Sequence, residues 1–478
     1  KHQENNCVDF DKDKLLFNMI SNEGPCLCKG DVNKDGLEDF YIGGAKDQSG
    51  ALFIQSSNGF KKLVPEPIKV HANSEDVDCV FFDANGDGFD DLYVASGGNE
   101  YSSSSVALND RLYFGSGNGS FRTSSQPLPS LTTFESTSTV SVVDFDNDGD
   151  IDLFVGSRAI PFNYGIPASG YLLINDGKGH FTDLTEKLAI GLRNIGLITD
   201  SEWLDVNGDG FPDLVLVGEW MPVTVFVQEA GRLVNRTREL GFEKTHGWYY
   251  TIATGDFNND GRLDFAVGNH GLNSRFKATE SNPIKMYVND FDGNGTIEQI
   301  ICLTQNNRDY PLPLRNDLLS QMPGLRKQLV HYSDYEDKSM TDLFLKNVLN
   351  KSIVNTAYLF NSAVYLNTPT SFKRVDLPIE AQFSVVYSLI ADDFDSDDNL
   401  DLLLGGNQHR AKPETGIYAA SRGLLLKGMG NGEFKTVPEN ISGVIVDGEI
   451  RSGVTINFKN RKLVLLGRNN DIVKLLTY

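Results

Sequence analysis

A nine-residue acidic pattern recurs along this sequence. It reads D-x-[DN]-x-[DN]-G-x-x-[DE], and its seven copies begin at Asp31, Asp83, Asp144, Asp205, Asp256, Asp290 and Asp393. Side-chain oxygens at positions 1, 3, 5 and 9, a backbone carbonyl at position 7 and a glycine at position 6 for a sharp turn match the donor set of a calcium loop. The pattern therefore predicts structural Ca²⁺ sites. Loops ligated fully by protein leave little open coordination for catalysis.

The predicted ligands are positions 1, 3, 5, 7 and 9 of each copy. They are Asp31, Asn33, Asp35, Leu37 and Asp39; Asp83, Asn85, Asp87, Phe89 and Asp91; Asp144, Asp146, Asp148, Asp150 and Asp152; Asp205, Asn207, Asp209, Phe211 and Asp213; Asp256, Asn258, Asp260, Arg262 and Asp264; Asp290, Asp292, Asn294, Thr296 and Glu298; Asp393, Asp395, Asp397, Asn399 and Asp401. The last copy has Asp398 in the glycine position. Aspartate tolerates a left-handed backbone better than most residues, so we expect the turn to form and to bind calcium more weakly.

The residues after each loop exclude a helix–loop–helix calcium site. Such a site needs a bidentate Glu at position 12, where every copy has an aliphatic residue: Ile42, Val94, Val155, Leu216, Val267, Ile301 and Leu404. Outside the Asp290 copy, near-continuous apolar runs follow, which are typical of strands buried on both faces. Gly- and Asn-containing hairpin turns follow most of these runs, as at residues 172–181. The repeating unit is thus a four-stranded meander, the size of a propeller blade.

The spacing of the copies predicts an all-β, seven-bladed β-propeller with calcium loops between strands 1 and 2 of most blades. The copies at 31, 83, 144, 205, 256 and 393 mark six blades, and residues 457–460 replace the loop in the last. Asp290 falls inside a mainly helical insertion in blade five, residues 271–360, with helices predicted at 317–322, 324–332 and 340–349. Residues 26–270 form blades one to four and the first part of blade five, and residues 361–478 form the rest.

The N-terminal residues 1–25 are expected to close the ring. Residues 7–17 are predicted to add an outer strand to the last blade beside residues 472–478. The alternative is that residues 1–20 are a linker from a missing upstream domain.

These repeats resemble the FG-GAP or VCBS type found in integrin α-subunit propellers and in many bacterial secreted proteins. The insertion and short segments such as Gly405-Gly406-Asn407 more narrowly resemble the bacterial relatives of the cartilage acidic protein family. The resemblance implies Ca²⁺ at positions 1, 3, 5, 7 and 9 of the propeller copies and a last blade without metal. It does not extend to the separate C-terminal module of that family.

A ligand surface is predicted where the chain leaves strand 2 of each blade, because these turns gather around one end of the channel and vary in chemistry. The candidates are Asn99, Glu100, Arg158, Glu219, Trp220, His270, His409, Arg410 and Arg468. The competing interpretation is that these polar residues satisfy turn backbones and that Trp220 packs between blades. No catalytic residue is assigned, although His270 and His409 near Arg158 or Glu219 leave open a polysaccharide lyase or hydrolase.

The net charge of the chain limits which classes of molecule it can bind. Lys and Arg number 43 against 65 Asp and Glu, a net charge of −22, which disfavours nucleic acid. Because such loops suit calcium-rich surroundings, we expect an extracytoplasmic protein, secreted, periplasmic or surface-anchored, holding about six or seven Ca²⁺. Its predicted partner is a cell-surface or outer-membrane protein or a glycan, and it is not itself membrane-spanning. An integrin-like adhesion subunit is a third, less favoured hypothesis.

Overall fold

The computed structural model describes residues 1–132 and 134–478, and most of its regular structure is antiparallel β-sheet. The first three sheets contain β1 (Leu27–Gly30), β2 (Asp39–Ile42), β3 (Ala51–Ser56) and β4 (Gly59–Leu63); β5 (Glu75–Phe82), β6 (Asp91–Gly97), β7 (Arg111–Gly115) and β8 (Phe121–Thr123); and β9 (Ser136–Val143), β10 (Asp152–Ala159), β11 (Gly170–Asn175) and β12 (Phe181–Asp183). In each, strands pair in chain order, so each sheet is a meander. The predicted all-β class is confirmed.

The next strands continue the same design. They are β13 (Leu197–Leu204), β14 (Asp213–Met221), β15 (Thr224–Glu229) and β16 (Arg232–Asn235); then β17 (Gly247–Gly255) and β18 (Asp264–Asn269), which pair with β23 (Ala363–Thr368) and β24 (Ser371–Asp376); then β25 (Val386–Asp392), β26 (Asp401–Gly406), β27 (Leu424–Gly428) and β28 (Phe434–Val437); and finally β29 (Ile450–Phe458), β30 (Arg461–Arg468) and β31 (Lys474–Thr477). A further pairing of β14 with β17 joins two meanders into one eight-stranded sheet.

The meanders form a closed ring. Their first strands contact one another in the order β1, β5, β9, β13, β17, β25, β29 and back to β1. The apolar core is divided accordingly, because separate clusters of buried side chains fill the spaces between neighbouring sheets. A cluster that includes Leu27, Phe40 and Leu465 joins the last sheet to the first. This arrangement is that of a β-propeller, and each sheet of the ring is called a blade below.

The insertion differs from the mainly helical segment predicted from the sequence. Between β18 and β23 it builds its own four-stranded sheet from β19 (Ile284–Asn289), β20 (Glu298–Gln305), β21 (Arg308–Pro311) and β22 (Ile353–Ala357). The helices here are short: α3 (Arg315–Gln321), α4 (Met340–Leu343), α5 (Lys346–Leu349) and 3-10 turns at Pro323–Lys327 and Tyr332–Asp334. Elsewhere there are only α1 (Glu66–Lys69), α2 (Thr185–Leu188), α6 (Glu439–Ser442) and 3-10 turns at Asp9–Asp11, Val106–Leu108 and Ile379–Gln382 among the described residues. No helix in the described ranges has the length and apolar character needed to cross a membrane.

The N-terminal segment does not add the outer strand predicted for residues 7–17. The last blade has three strands, and β31 pairs only with β30 among the described residues. The segment instead crosses the end of the ring where the second strands finish. Leu16 and Phe17 are buried against side chains of the insertion, and Asn18 makes a bridge to Ala411. Its apolar side chains thereby find a buried surface that an outer strand, covered on one face only, does not offer.

Candidate functional site

Six of the seven acidic loops join strands 1 and 2 of successive blades, and so gather at one end of the ring. The Asp290 loop joins β19 to β20 in the insertion sheet, which makes it a turn between paired strands. Adjacent loops touch. Asp90 accepts a hydrogen bond from the Asp31 backbone N–H at 2.8 Å, and Asn259 donates to Asn399 Oδ1 at 2.8 Å.

All seven loops share one backbone conformation. Positions 4 and 6 are left-handed in every copy, with φ between 57° and 77° at position 4 and between 66° and 91° at position 6. Asp398 occupies this region with φ of 66°, so the loop without glycine keeps the turn. The requirement at position 4 was missed by sequence analysis, although Gly or Asn at this position in five copies was a usable signal.

The carboxylate at position 1 organises each loop by accepting the backbone N–H of position 6. Asp31 Oδ2 accepts from Gly36 at 2.8 Å, and Asp393 Oδ2 accepts from Asp398 at 3.0 Å. The other five copies make the same bond. Position 5 accepts in turn from the N–H of position 7, as Asp35 does from Leu37 at 2.9 Å.

The carboxylate at position 9 is buried and fastens the loop to its sheet. Asp264 is fully buried and accepts from Phe257 N at 3.0 Å and from Asn367 N, on the third strand of the blade, at 2.6 Å. Asp39, Asp91, Asp152, Asp213 and Asp401 make the equivalent pair of bonds in their blades. Burial raises the pKa of Asp264 to about 6, and nearby Asp260 and Asp256 add to the rise.

The donor set fits a hard divalent cation. In the copies that begin at Asp144, Asp290 and Asp393, carboxylates at positions 1, 3 and 9 bring oxygens within 4.8 Å of one another. The other four copies have Asn at position 3, whose amide oxygen is also a Ca²⁺ ligand. An ion there would neutralise carboxylates whose mutual repulsion otherwise opposes folding.

At the opposite end of the ring, three of the predicted rim residues come together as a buried cluster. Arg158 Nε donates to Glu219 Oε2 at 2.9 Å, and its Nη1 contacts Glu23. Tyr164 Oη donates to Glu219 at 3.0 Å and accepts from Trp220 Nε1 at 3.1 Å. Trp220 is 3% exposed, so the interpretation of this tryptophan as a packing residue fits better than a sugar-stacking surface.

The N-terminal segment and the insertion cover this cluster. Phe17 stacks on Trp248 with ring centroids 4.6 Å apart, and Phe276 meets the same indole edge-on at 4.8 Å. His270 lies beside Trp248 with both ring nitrogens buried and without a hydrogen-bond partner among the described residues. Burial lowers the pKa of His270 to about 3, so it is a neutral core residue at physiological pH. An acid–base pair of His270 and His409 therefore has no support from the geometry.

The remaining rim residues mainly hold the N-terminal segment or neighbouring turns in place. Asn99 Oδ1 accepts from Phe162 N at 2.6 Å, and Glu100 pairs with Lys46. Arg410 accepts from Met19 N through its carbonyl at 3.0 Å, and Arg468 donates to the Asp447 carbonyl at 2.8 Å. Of the nine predicted residues, only His409 is exposed. A role for this rim in binding a ligand stays a prediction.

A different set of residues, missed by sequence analysis, lines the central channel. In six blades the first strand carries a β-bulge at the same place. The residue that each bulge leaves unpaired is Val77, Ser138, Thr199, Tyr250, Tyr387 or Arg451. All six line one cavity of about 260 Å³ on the ring axis, together with Pro25. Each lies six residues before position 1 of its loop, or before Asn457 in the last blade. That constant offset was the signal available in the sequence.

Neighbouring blades are linked by hydrogen bonds beside this cavity. Asp78 Oδ2 accepts from Val140 N at 2.8 Å, and Asp200 Oδ2 accepts from Ile252 N at 2.9 Å. Ser452 Oγ donates to the Pro25 carbonyl at 2.6 Å, which links the last blade to the first. Each of these three side chains is held by a hydrogen bond to the backbone of a neighbouring blade, so this part of the cavity wall is fixed in position.

Comparisons with known proteins agree with the repeat. A family model described as an FG-GAP-like repeat matches residues 31–94, 83–155 and 205–267, so the chain contains FG-GAP-like repeats in a β-propeller. Similar solved structures include Sqt1 of Saccharomyces cerevisiae (10% identity, 97% of both chains covered, TM-score 0.43) and the biofilm matrix protein Bap1 of V. cholerae (11% identity, 94% of this chain and 85% of that one, TM-score 0.40). YCF48 bound to D1 peptide is similar at 10% identity, with 96% and 95% coverage and a TM-score of 0.41. The search of curated proteins gave no match.

Proposed function

We propose that this chain is a seven-bladed, calcium-stabilised β-propeller that acts outside the cytoplasm as a non-catalytic module for binding or assembly. Its partner is a cell-surface or outer-membrane protein or a glycan. Kinship with the bacterial relatives of the cartilage acidic protein family is part of the same proposal. The observation that carries it is the repetition of one loop geometry at one end of the ring, with acidic or amide oxygens at positions 1, 3, 5 and 9.

The calcium part of the proposal rests on electrostatics. Each loop holds three or four carboxylates at positions 1, 3, 5 and 9, and the position 9 carboxylate is buried. A bound divalent cation turns this repulsion into attraction, so ion binding contributes directly to folding. Loops of this kind bind well where calcium is abundant, which supports an extracytoplasmic location.

The binding part of the proposal draws on the insertion. Leu329 and Leu343 are buried in its small core, and Leu325 and Phe344 are partly buried there. The insertion exposes four apolar side chains, each more than half exposed: Leu314, Val330, Tyr332 and Leu345. Apolar residues on an outward surface favour contact with another protein. The alternative of a carbohydrate-active lyase or hydrolase that uses His270 and His409 is not favoured, because His270 is buried and its pKa is lowered to about 3.

The test combines thermal unfolding with and without excess chelator and metal analysis of the same sample. We expect several Ca²⁺ per chain and a melting temperature that falls by more than 10 °C when they are removed. Binding to a glycan array, with and without calcium, addresses the partner. If no calcium is bound and chelator leaves the melting temperature unchanged, the calcium-stabilised module is excluded.

A further inference from the structure

The central channel holds a cavity whose lining is chemically specialised. The seven equivalent lining positions carry Pro25, Val77, Ser138, Thr199, Tyr250, Tyr387 and Arg451. In a repeat protein, positions that serve only the fold tend to carry similar residues, as position 9 of the loops does with its invariant acidic residue. The lining positions instead combine an arginine, two tyrosines and two hydroxyl residues. Such a set of convergent polar groups with aromatic surfaces is what a small-molecule site uses.

Aromatic rings and cations form a continuous row along the cavity wall. The rings of Tyr250 and Tyr387 are 4.6 Å apart at 47°, and the Arg451 guanidinium carbon lies 4.0 Å from the centre of the Tyr387 ring. At the other end of the row, the Arg158 guanidinium carbon lies 5.9 Å from the Tyr250 ring. The two tyrosine rings thus pack against each other between two arginines, and both tyrosines line the cavity.

Several of these donors are buried without a partner. Arg158 Nη2, Arg451 Nε and Tyr250 Oη have no hydrogen bond among the described residues. The side chains of Arg158 and Arg451 are each 8% exposed. Unpaired polar atoms at such burial are costly, which favours a ligand that supplies acceptors.

The charges in the cavity argue against an anion as that ligand. Arg158 already pairs with Glu23 and Glu219, and Arg451 pairs with Glu449 at 3.0 Å. Asp78 and Asp200 also line the cavity, so acidic side chains outnumber the two arginines. A neutral molecule with many hydroxyl groups avoids this repulsion, because its hydroxyls accept from the arginines and donate to the carboxylates.

We propose that the central channel binds a neutral monosaccharide-sized sugar, with its ring beside Tyr250 and Tyr387 and its hydroxyls on Arg158, Arg451 and the bulge residues. This proposal specifies the site for the glycan partner of the proposed function, and it rests on that proposed function. The volume of about 260 Å³ is just below the range of ordinary ligand pockets and suits one sugar ring.

The test titrates the full calcium-loaded chain with glucose, galactose, mannose, fucose and N-acetylglucosamine, by calorimetry and saturation-transfer NMR. We expect one of them to bind with one site per chain. V77F fills the cavity and should weaken that binding at least tenfold, whereas V106F, at an exposed position outside the channel, should not change it. Y250F removes one hydroxyl and should weaken binding about fivefold, or about 1 kcal/mol. Y365F, which removes another buried, unpartnered hydroxyl away from the cavity, is its control.

The outcomes separate this site from the wider proposal. If no sugar of the panel binds the folded protein, or if acetate, glutamate or glycine binds the cavity instead, the sugar site is overturned. If a sugar binds equally to the wild type, V77F and Y250F, the channel is not its site, although the binding module stands. Melting curves of each variant show that it is folded. Calcium analysis on the same samples reports independently on the proposed function.

Discussion

The ammonium of Lys427 lies 2.7 Å from a carboxylate oxygen of Asp397 and also contacts Asp395, so a lysine from the third strand bridges positions 5 and 3 of the last acidic loop. The two carboxylates hold the pKa of Lys427 well above its usual value. Among the loop copies in the described residues, this is the only one with a lysine between these two positions. The ammonium therefore competes with a Ca²⁺ ion for the same two carboxylates.

K427M is therefore expected to change stability in opposite directions with and without calcium. In chelator, loss of the ammonium leaves the loop carboxylates unscreened and lowers the free energy of unfolding. With calcium, the loop should bind its ion about tenfold more tightly, because the ammonium no longer repels the divalent ion or competes with it for the same two carboxylates. Calcium titrations followed by calorimetry and urea unfolding measure both effects. K435M, at an exposed lysine of the same blade, is the control, and equal behaviour of the two variants would contradict the bridging role.

Asp398 provides a test of the loop backbone. Its φ of 66° is the left-handed conformation that β-branched side chains resist most. D398V should therefore unfold about 2 kcal/mol more easily than D398G, measured by urea unfolding in chelator so that ion binding does not contribute. The same pair of substitutions at Glu433, an exposed residue with ordinary φ, should differ by less than half as much. Equal differences at both positions would show that the turn adjusts without strain.

The loops and the strands after them could be predicted because their chemistry is local. Nine consecutive residues determine the turn that brings the oxygens at positions 1, 3, 5 and 9 together. The aliphatic residue at position 12, such as Val267, indicates the strand that follows. The predicted hairpin at residues 172–181 corresponds to β11 and β12, with Gly177 and Gly179 at left-handed φ. In these segments, local propensity and burial favour the same structure.

The parts that could not be predicted depend on contacts distant in sequence. The strands β19 and β22 of the insertion pair although more than 60 residues separate them, and β19 is the strand that gives β22 its place in the sheet. The N-terminal segment was expected to close the ring as an outer strand of the last blade. Phe17 instead packs on Trp248, more than 200 residues away, because the rim offers deeper burial. The channel residues were missed because a bulge leaves one residue unpaired without an obvious change in hydrophobic pattern.

Closure of the ring is expected to depend on Asn469. This residue is 5% exposed, and its side-chain amide donates to Glu4 Oε1 at 2.8 Å, to the Gly24 carbonyl at 3.1 Å and to the Asn22 carbonyl at 3.2 Å. N469A leaves these buried acceptors without a donor and should cost about 2 kcal/mol of unfolding free energy.

Urea unfolding with calcium present measures this loss, and N440A, at an exposed asparagine, is the control. Hydrogen exchange should also become faster in the first and last blades and remain unchanged in β13 to β16. Uniformly faster exchange across all blades would argue against a local role in closure.

His270 should make the protein less stable in acid. Burial lowers its pKa to about 3, and the charge of Lys277 contributes. In the unfolded chain the pKa is near 6.5, so between about pH 6.5 and pH 3 the unfolded state binds the proton and the folded state does not. Stability from this residue is therefore complete above pH 6.5 and decreases as the pH falls, by about 2 kcal/mol at pH 5. Buried carboxylates such as Asp110, whose pKa burial raises to about 7, act in the opposite direction, so the wild type alone does not isolate the histidine.

The measurement is the difference in unfolding free energy between wild type and H270L at pH 7 and at pH 5. Because leucine does not titrate and the carboxylates are common to both proteins, this difference should shift by about 2 kcal/mol in favour of H270L on acidification. H331L, at an exposed histidine of the insertion, is the control. A difference for H270L that is the same at both pH values would mean that His270 takes up a proton without leaving its aromatic surroundings, which its two unpartnered ring nitrogens and its contacts with Trp248 and Tyr418 argue against.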